Sequence, residues 1–474
     1  MTGPPMTALG RTGPVILVGG GPAGAMLALY LARQDCQVTV YESRPDLRRV
    51  DISGGRSINL ALATRGIVSL QQLGLLERVH AITVPMAGRM VHGGGTTGRG
   101  RYREDFQAYS NQPDEVIYSV SRPALNGILL DAAEATGRVR MHFGHRCTAV
   151  DLEHRMATFT LGPGSGRAEG ATVEVAFGTL FGCDGSASEV RDAVVAAAGG
   201  TVVTEPLGHG YKELTLAAGP GGAFRLEPNA LHIWPRGEHM LIALPNPSGD
   251  FTVTLFLPVE GGPDSFEHLV DEAAVVGFFD RQFPEAVELI PDLVDQFLAH
   301  PTGRLATIHT TGWSAGDAAV LVGDAAHAIV PFHGQGMNLA FESCRILDRL
   351  LRERPDDLAA AFGAFEASRR PNAEAIAQEA LDNYVEMRAG VVDPRYLLQR
   401  ELALELERRH PDRMADRYRM IMFTTMPYAA ARERSERQQE VLDALTVGIS
   451  RLDQVDFTRA AELVDALGPL PAWE

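Results

Sequence analysis

The sixteen residues from Gly323 to Asn338 read Gly-Asp-Ala-Ala-His-Ala-Ile-Val-Pro-Phe-His-Gly-Gln-Gly-Met-Asn, and their types suit the binding of a cofactor. Asp324 follows the apolar stretch Ala319 to Val322, where a carboxylate can take the hydroxyl groups of a bound ligand. Gln335 to Asn338 then open a helix, whose free N–H groups favour negative charge. A turn between two core elements would use many of the same residues. A partner segment about three hundred residues upstream separates the two readings.

That partner is the apolar strand Val15 to Val18, which runs into Gly19-Gly20-Gly21-Pro22-Ala23-Gly24. An uncharged stretch from Ala25 to Ala32 follows, then a second strand, Val38 to Tyr41, ending at Glu42. Strand, glycine turn, helix, strand and acid is the order of a dinucleotide-binding unit. Gly19 allows the tight turn, Gly21 lets a pyrophosphate approach the backbone, and Gly24 lets helix and strand pack closely. Glu42, about 20 residues on, is placed for a ribose hydroxyl. Context matters here, because Gly93-Gly94-Gly95-Thr96-Thr97-Gly98 fits the same glycine pattern. Its continuation, Arg99 to Asp105, is mostly charged and cannot begin an apolar helix, so it reads as part of a loop from Gly93 to Asp114. Val15 to Ala32 is also long enough to suggest a membrane span, but its four glycines and Pro22 favour the βαβ opening.

These segments need a scaffold that joins distant parts of the chain. The pattern predicts an α/β protein: a Rossmann-type cofactor fold split by an inserted antiparallel β-sheet and followed by helices. Residues 1–14 read as a flexible tail and 15–207 as the first part of the cofactor fold. Residues 208–302, with contributions from about 85–120, read as the inserted sheet. Residues 303–370 complete the cofactor fold and 371–474 form a helical domain closing the substrate site. Val173 to Cys183 is an apolar strand ending at Asp184-Gly185, and β-type alternation marks Leu231 to Pro235, Met240 to Leu244 and Phe251 to Leu257. Amphipathic runs at Leu339 to Arg352, Ala373 to Arg388 and Tyr396 to Arg409 predict helices. A substrate would bind at the seam between inserted sheet and cofactor fold.

Composition bounds the function. At 474 residues, 45% hydrophobic and 22% charged, the chain is a soluble globular protein of two or three domains. A net charge of −17 without a basic run argues against a nucleic-acid partner. Cys36, Cys147, Cys183 and Cys344 are far apart and no CxxC or HExxH spacing occurs, so neither a metal site nor a disulfide framework is expected. A cytoplasmic location without membrane attachment fits this usage. Lys212 is the only lysine. Gly312-Trp313-Ser314-Ala315-Gly316 matches the GxSxG of serine hydrolases but precedes a strand instead of following one.

Three segments in order, Gly19 to Gly24 with Glu42, Cys183-Asp184-Gly185 with Arg191, and Gly323-Asp324, resemble the flavoprotein aromatic hydroxylases, whose fold is like that of p-hydroxybenzoate hydroxylase. In that family the first binds the ADP half of FAD, the second is associated with FAD and pyridine nucleotide, and the third binds the ribityl side. Gly55 to Leu62, Pro85 to Met90, Tyr118 to Arg122, Leu231 to Arg236, Pro331 to Asn338 and Asn383 to Arg388 resemble the branch of that family that hydroxylates kynurenine. The resemblance implies FAD as cofactor, with NADPH as transient co-substrate and O₂ as oxidant. It implies hydroxylation of L-kynurenine at position 3 through a C4a-hydroperoxyflavin, without a catalytic base from the protein. A ring-substituted kynurenine or another anthraniloyl-type acid is the alternative substrate. The resemblance places Arg89 and Tyr102 on the substrate carboxylate, with Asn383 and Tyr418 completing the polar end, and a guanidinium and phenols suit that task. It places Pro331, Phe332 and His333 against the substrate ring, with His239 as a further candidate. Arg56, Arg122, Asp184, Asp324, Gln335, Gly336, Met337 and Asn338 are the remaining cofactor contacts it implies.

Overall fold

The computed structural model describes residues 9, 13–49, 59–96, 102–388 and 393–473, the side chains of 94–96 and 102–103 excepted. Arg56, expected at the cofactor, lies outside the described residues. Val15–Val18 pairs in parallel with Val38–Tyr41 on one side and Thr179–Gly182 on the other, and all four of its side chains are buried. A parallel strand covered on both faces reads as a continuous apolar run, which is why this element was plain in the sequence. The six-stranded sheet runs in the order Ser314–Ala315, Ala319–Leu321, Thr179–Gly182, Val15–Val18, Val38–Tyr41, Val139–His142. One strand therefore separates the two glycine-rich segments that are remote in the chain. A Cβ on Gly323 would lie 3.1 Å from the Cβ of Ala23, so the two turns touch.

The second large sheet has seven strands, in the order Gly303–Thr310, Val202–Leu216, Phe251–Pro258, His239–Pro245, Ala230–Arg236, Gly88–Thr96, Tyr102–Ala108. Alternation along its strands sends one set of side chains to each face. Trp234, Leu241, Val253 and Leu255 meet Phe278, Phe279, Phe283 and Phe297 of the helices Glu272–Gln282, Pro284–Leu289 and Leu293–Ala299 and their junctions. Ile233, Met240 and Phe256 face the other way, against Val330, Phe332 and the residues Tyr384 and Met387 of the long helix Leu358–Arg388. That second face is the roof of the candidate site. Lys212 lies within this sheet, and its amine donates to the carbonyls of Phe297 at 2.7 Å and His300 at 2.9 Å. It thus closes the C-terminal end of Leu293–Ala299, where a cation is favoured.

Several expected boundaries move. Val202–Leu216 is one strand that crosses residue 207, and Gly303–Thr310 pairs with it, so the inserted sheet starts earlier and ends later than 208–302. The pairing of Ala230–Arg236 with Gly88–Thr96 is parallel, which makes the sheet mixed. The region read as a loop from Gly93 to Asp114 contains much of a hairpin, Gly88–Thr96 with Tyr102–Ala108, whose charged residues are tolerated because the second strand is a sheet edge. The apolar run Val173 to Cys183 divides into Thr172–Ala176 and Thr179–Gly182, which belong to different sheets. Leu358–Arg388 runs through Pro371 and past the expected limit at 370, kept helical by buried residues on both sides of the proline such as Phe365 and Ile376. Leu9 is buried in the main core, so the first fourteen residues are not wholly a free tail. The helices Pro394–Arg409, Arg417–Met422, Tyr428–Leu445 and Phe457–Ala466 follow, with a core of their own around Leu402, Leu406 and Leu442. Among the described residues no helix is long and apolar enough to cross a membrane.

Candidate active site

The first wall of the site is the turn after Val15–Val18. Gly19 has φ 104°, and a Cβ there would lie 2.2 Å from the carbonyl oxygen of Cys183. At Gly24 a Cβ would lie 1.9 Å from the carbonyl oxygen of Gly19, so the loop closes only with glycine. The helix Pro22–Arg33 begins with proline and carries no side-chain cap, which leaves its first N–H groups for a ligand. Glu42 braces this loop, accepting from the Gly20 N–H at 2.7 Å and from the backbone N–H and Nε of Arg44 at 2.9 Å. Burial pushes its carboxyl up, but Arg44 and the backbone donors outweigh burial and hold it below its ordinary value. Asn126 donates to the Gly20 carbonyl at 3.1 Å, and its own Oδ1 is buried without a partner beside the loop.

Asp324 is the second wall. Its side chain keeps an exposed surface within a cleft, where burial raises the carboxyl and the exposed Arg122 works in the opposite direction. The helix Gly336–Glu353 forms the floor; Gly336 and Met337 are half-buried at its start, and no side chain caps it. Asn338 is committed to the protein, donating to Ala61 at 2.8 Å and Gly334 at 2.9 Å and accepting from the Ala63 N–H at 3.0 Å. Gln335 is fully buried and turned to the C-terminal helices: it accepts from the Tyr428 hydroxyl at 2.6 Å and donates to the Met422 sulfur at 2.8 Å. Asp184 spends its carboxylate on the helix Glu189–Ala198, accepting from Ser188 Oγ at 2.5 Å and the Val190 N–H at 3.2 Å. Arg191 joins the second motif to the third by donating to Ser186 and Ala325 carbonyls. A glycine cradle, an uncapped helix start and an orphaned acceptor at one turn, and an exposed carboxylate after the neighbouring turn that touches it, fit FAD.

From that cleft a cavity of about 300 Å³ runs under the seven-stranded sheet. Its walls are apolar, with Leu231, Ile242, Phe256 and Phe332 among them, and Phe332 packs 3.8 Å from the Tyr384 ring and 4.9 Å from Phe256. Its far end is polar. The buried guanidinium of Arg89 donates to Glu386 at 2.9 Å and to Asn383 Oδ1 at 3.3 Å, and lies 5.0 Å over the ring of Tyr418. Tyr418 is stacked between Tyr109 at 4.7 Å and His333 at 5.4 Å. The Tyr109 hydroxyl is buried beside Tyr418 and the Arg89 guanidinium. Glu386 also receives Tyr396 at 2.6 Å and Arg417; burial opposes its charge, but Arg417 and Arg89 prevail and bring its carboxyl down to about 2. Burial, helped by Arg417, lowers His333 to about 3, so its ring is neutral at any ordinary pH. A larger and more polar cavity of about 620 Å³ lies on the other side of Arg89 and Tyr418. None of the residues expected at the cofactor lines it.

The family model described as an FAD binding domain matches residues 12–209 and 289–380. A kynurenine 3-monooxygenase of Myxococcus xanthus is 44% identical, with 96% of this chain and 95% of the relative covered. One of Xanthomonas axonopodis pv. citri is 47% identical, with 96% and 97% covered. The chain belongs to the kynurenine 3-monooxygenase family. Two solved structures share the fold at low identity. A tetrameric form of 2-methyl-3-hydroxypyridine-5-carboxylic acid oxygenase matches at TM-score 0.59 and 19% identity, covering 82% of this chain and 96% of that one. PqsL of Pseudomonas aeruginosa, in complex with 2-aminobenzoylacetate, matches at TM-score 0.61 and 20% identity, covering 80% and 97%.

Within this kynurenine 3-monooxygenase family member, Arg89, Asn383, Tyr418, Phe332 and His333 line one cavity. The backbone of Tyr102 stands apart from Arg89 in the hairpin. Hairpin register sets it opposite Thr96, whereas Arg89 faces Gln107, and the Tyr109 N–H bonds to the Ala87 carbonyl beside it. The tyrosine brought to Arg89 is therefore Tyr109; the side chain of Tyr102 lies outside the described residues. His239 is also displaced from the ring, since it contacts the Asp264 carbonyl and Phe278 on the opposite face of the sheet. Glu386, Tyr396 and Arg417 had no assigned role. Glu386 lies three residues after Asn383 on one helix, a spacing that puts both on a single face and could have found it.

Proposed function

We propose that this chain is an FAD-dependent, NADPH-consuming monooxygenase that hydroxylates L-kynurenine to 3-hydroxy-L-kynurenine. The observation that carries the reading is the buried Arg89 guanidinium at one end of an apolar cavity whose other end opens on Asp324 and the turn Pro331–Gly334. An aromatic α-amino acid matches that polarity. Its carboxylate would pair with Arg89, and the buried Tyr109 hydroxyl beside that guanidinium would donate to it. Its ring would lie among Phe256, Phe332, Leu231 and Ile242, directed at the cofactor side. Bound FAD, reduced by NADPH, supplies the oxygen-activating chemistry. The chain's own part is to bind, orient and exclude water, for which the apolar walls of the cavity serve. No protein base is needed, because the aniline nitrogen of kynurenine already activates the neighbouring ring carbon. The neutral His333 does not act as a cationic acid in this reading.

The test is direct. Purified protein should be yellow or take up FAD, oxidise NADPH faster when L-kynurenine is added, and yield a product one oxygen heavier by mass spectrometry. Ring-substituted kynurenines and other anthraniloyl-type acids, assayed for coupled product, set the substrate within the class. A protein that cannot be loaded with FAD, or that consumes NADPH without hydroxylated product from any of these acids, would sink the reading.

A further inference from the structure

The C-terminal helices touch the segment Pro331–Asn338 at two points. Tyr418, at the start of Arg417–Met422, stacks on His333 at the substrate end. Met422, at the end of that helix, and Tyr428, at the start of Tyr428–Leu445, both hydrogen-bond Gln335, the residue before the floor helix Gly336–Glu353. The link between the two points is stiff. Arg65 donates to the Met426 carbonyl, lies 3.7 Å over the Tyr428 ring, and reaches Glu342 of the floor helix at 2.9 Å. Arg369 holds the same Glu342 at 2.7 Å. Thr424 within the link bonds back to the Met420 carbonyl at 2.6 Å. Gln335, Arg65 and Tyr428 are each no more than 1% exposed. If the sole role of the Gln335 amide were to be satisfied, a thioether would be a poor acceptor for its N–H. The geometry instead makes its position depend on where the Tyr418 helix sits.

We propose that Tyr428 is a positioning residue that acts through Gln335, relaying the seating of Tyr418 on the substrate to the helix start beneath the flavin. The proposal rests on the monooxygenase reading above. When a carboxylate takes Arg89 from Glu386, the Tyr418 helix settles, and the Tyr428–Gln335 hydrogen bond carries that displacement to Gly336 and Met337. The flavin then responds to a substrate group that it does not touch.

The experiment uses the FAD-loaded protein and the change in flavin absorption on adding L-kynurenine. In Tyr428→Phe, which keeps the ring over Arg65, FAD stays bound and the melting temperature holds. The amplitude of the kynurenine-induced spectral change falls by about half or more, while the Kd for kynurenine moves by less than about threefold. Hydrogen peroxide per NADPH consumed rises. Gln335→Leu shows the same loss, and the double variant is no worse than Gln335→Leu alone, as expected for residues acting as one unit. Full wild-type amplitude in Tyr428→Phe, or additive losses in the double variant, overturns the relay alone. A wild-type flavin spectrum that kynurenine leaves unchanged overturns the relay together with the functional reading.

Discussion

Arg89 is never a free charge in this molecule. Burial works against it, and Glu386 is the group that holds it cationic, with Tyr396 and Arg417 fixing the glutamate in turn. The arrangement stores a counter-ion that a substrate carboxylate can replace, which keeps the cavity end preorganised without burying an unpaired guanidinium. In the proposed function, Tyr109 would help to hold that carboxylate. Loss of a hydrogen bond to a charged group costs about 1.5–3 kcal/mol, so Tyr109→Phe should raise the KM for kynurenine by roughly one to two powers of ten with FAD retained. Tyr102→Phe should leave KM unchanged, because hairpin register carries it to the far end of the strand. Steady-state kinetics on the two variants decide between the tyrosines, and equal effects would refute the assignment. The sequence could supply an arginine and a nearby tyrosine, but the choice between Tyr102 and Tyr109 depends on where the hairpin turns back. Glycines and charges before residue 102 do not fix that point.

At the scale of elements, the βαβ opening was legible because each of its residues has a single structural use. Val15–Val18 is covered on both faces, Gly24 touches the preceding turn, and Glu42 ends the second strand. Gly24→Ala should therefore cost the fold on the order of 1–3 kcal/mol by overpacking and release FAD; flavin content after gel filtration and a melting curve would show it, and a fully loaded Gly24→Ala protein would contradict the cradle. Elements shared between two layers were less legible. Val202–Leu216 begins beside the cofactor fold and ends in the inserted sheet, so a boundary drawn by composition cut through it. The edge strand Tyr102–Ala108 was hidden by its charges, which suit an unpaired edge. Asp184 and Asn338 show a further limit. Their positions follow the family pattern, yet their side chains serve a helix start and a neighbouring strand, which spacing alone does not reveal.

For the molecule as a whole, burial of neutral imidazoles sets the response to acid. His92, His327 and His333 are each brought by burial to about 3, from an ordinary 6.5. Between those values the unfolded chain binds protons that the folded one refuses, so stability falls as the pH drops through that range. Each imidazole contributes about 1.4 kcal/mol per pH unit, or roughly 4 kcal/mol per unit for the three. Glu386 acts in the same direction at lower pH: its contribution is complete above the usual carboxyl value and is lost as the pH falls toward about 2. The melting temperature followed by circular dichroism should therefore fall by several degrees between pH 7 and pH 5, where Glu386 is silent, and a steady or rising value would refute this account.

Lys212 gives the fold an unusual chemical simplicity. The sole side-chain amine of the chain is enclosed between two carbonyls and an aromatic ring, 4.3 Å from Phe297. Acylating reagents that modify most proteins at many surface sites should leave the folded interior of this one untouched and react at residue 212 only as the seven-stranded sheet opens. A mass increment on the fragment carrying residue 212, apart from that of the α-amine and timed against denaturant, would then count the opened molecules, with no engineered label required.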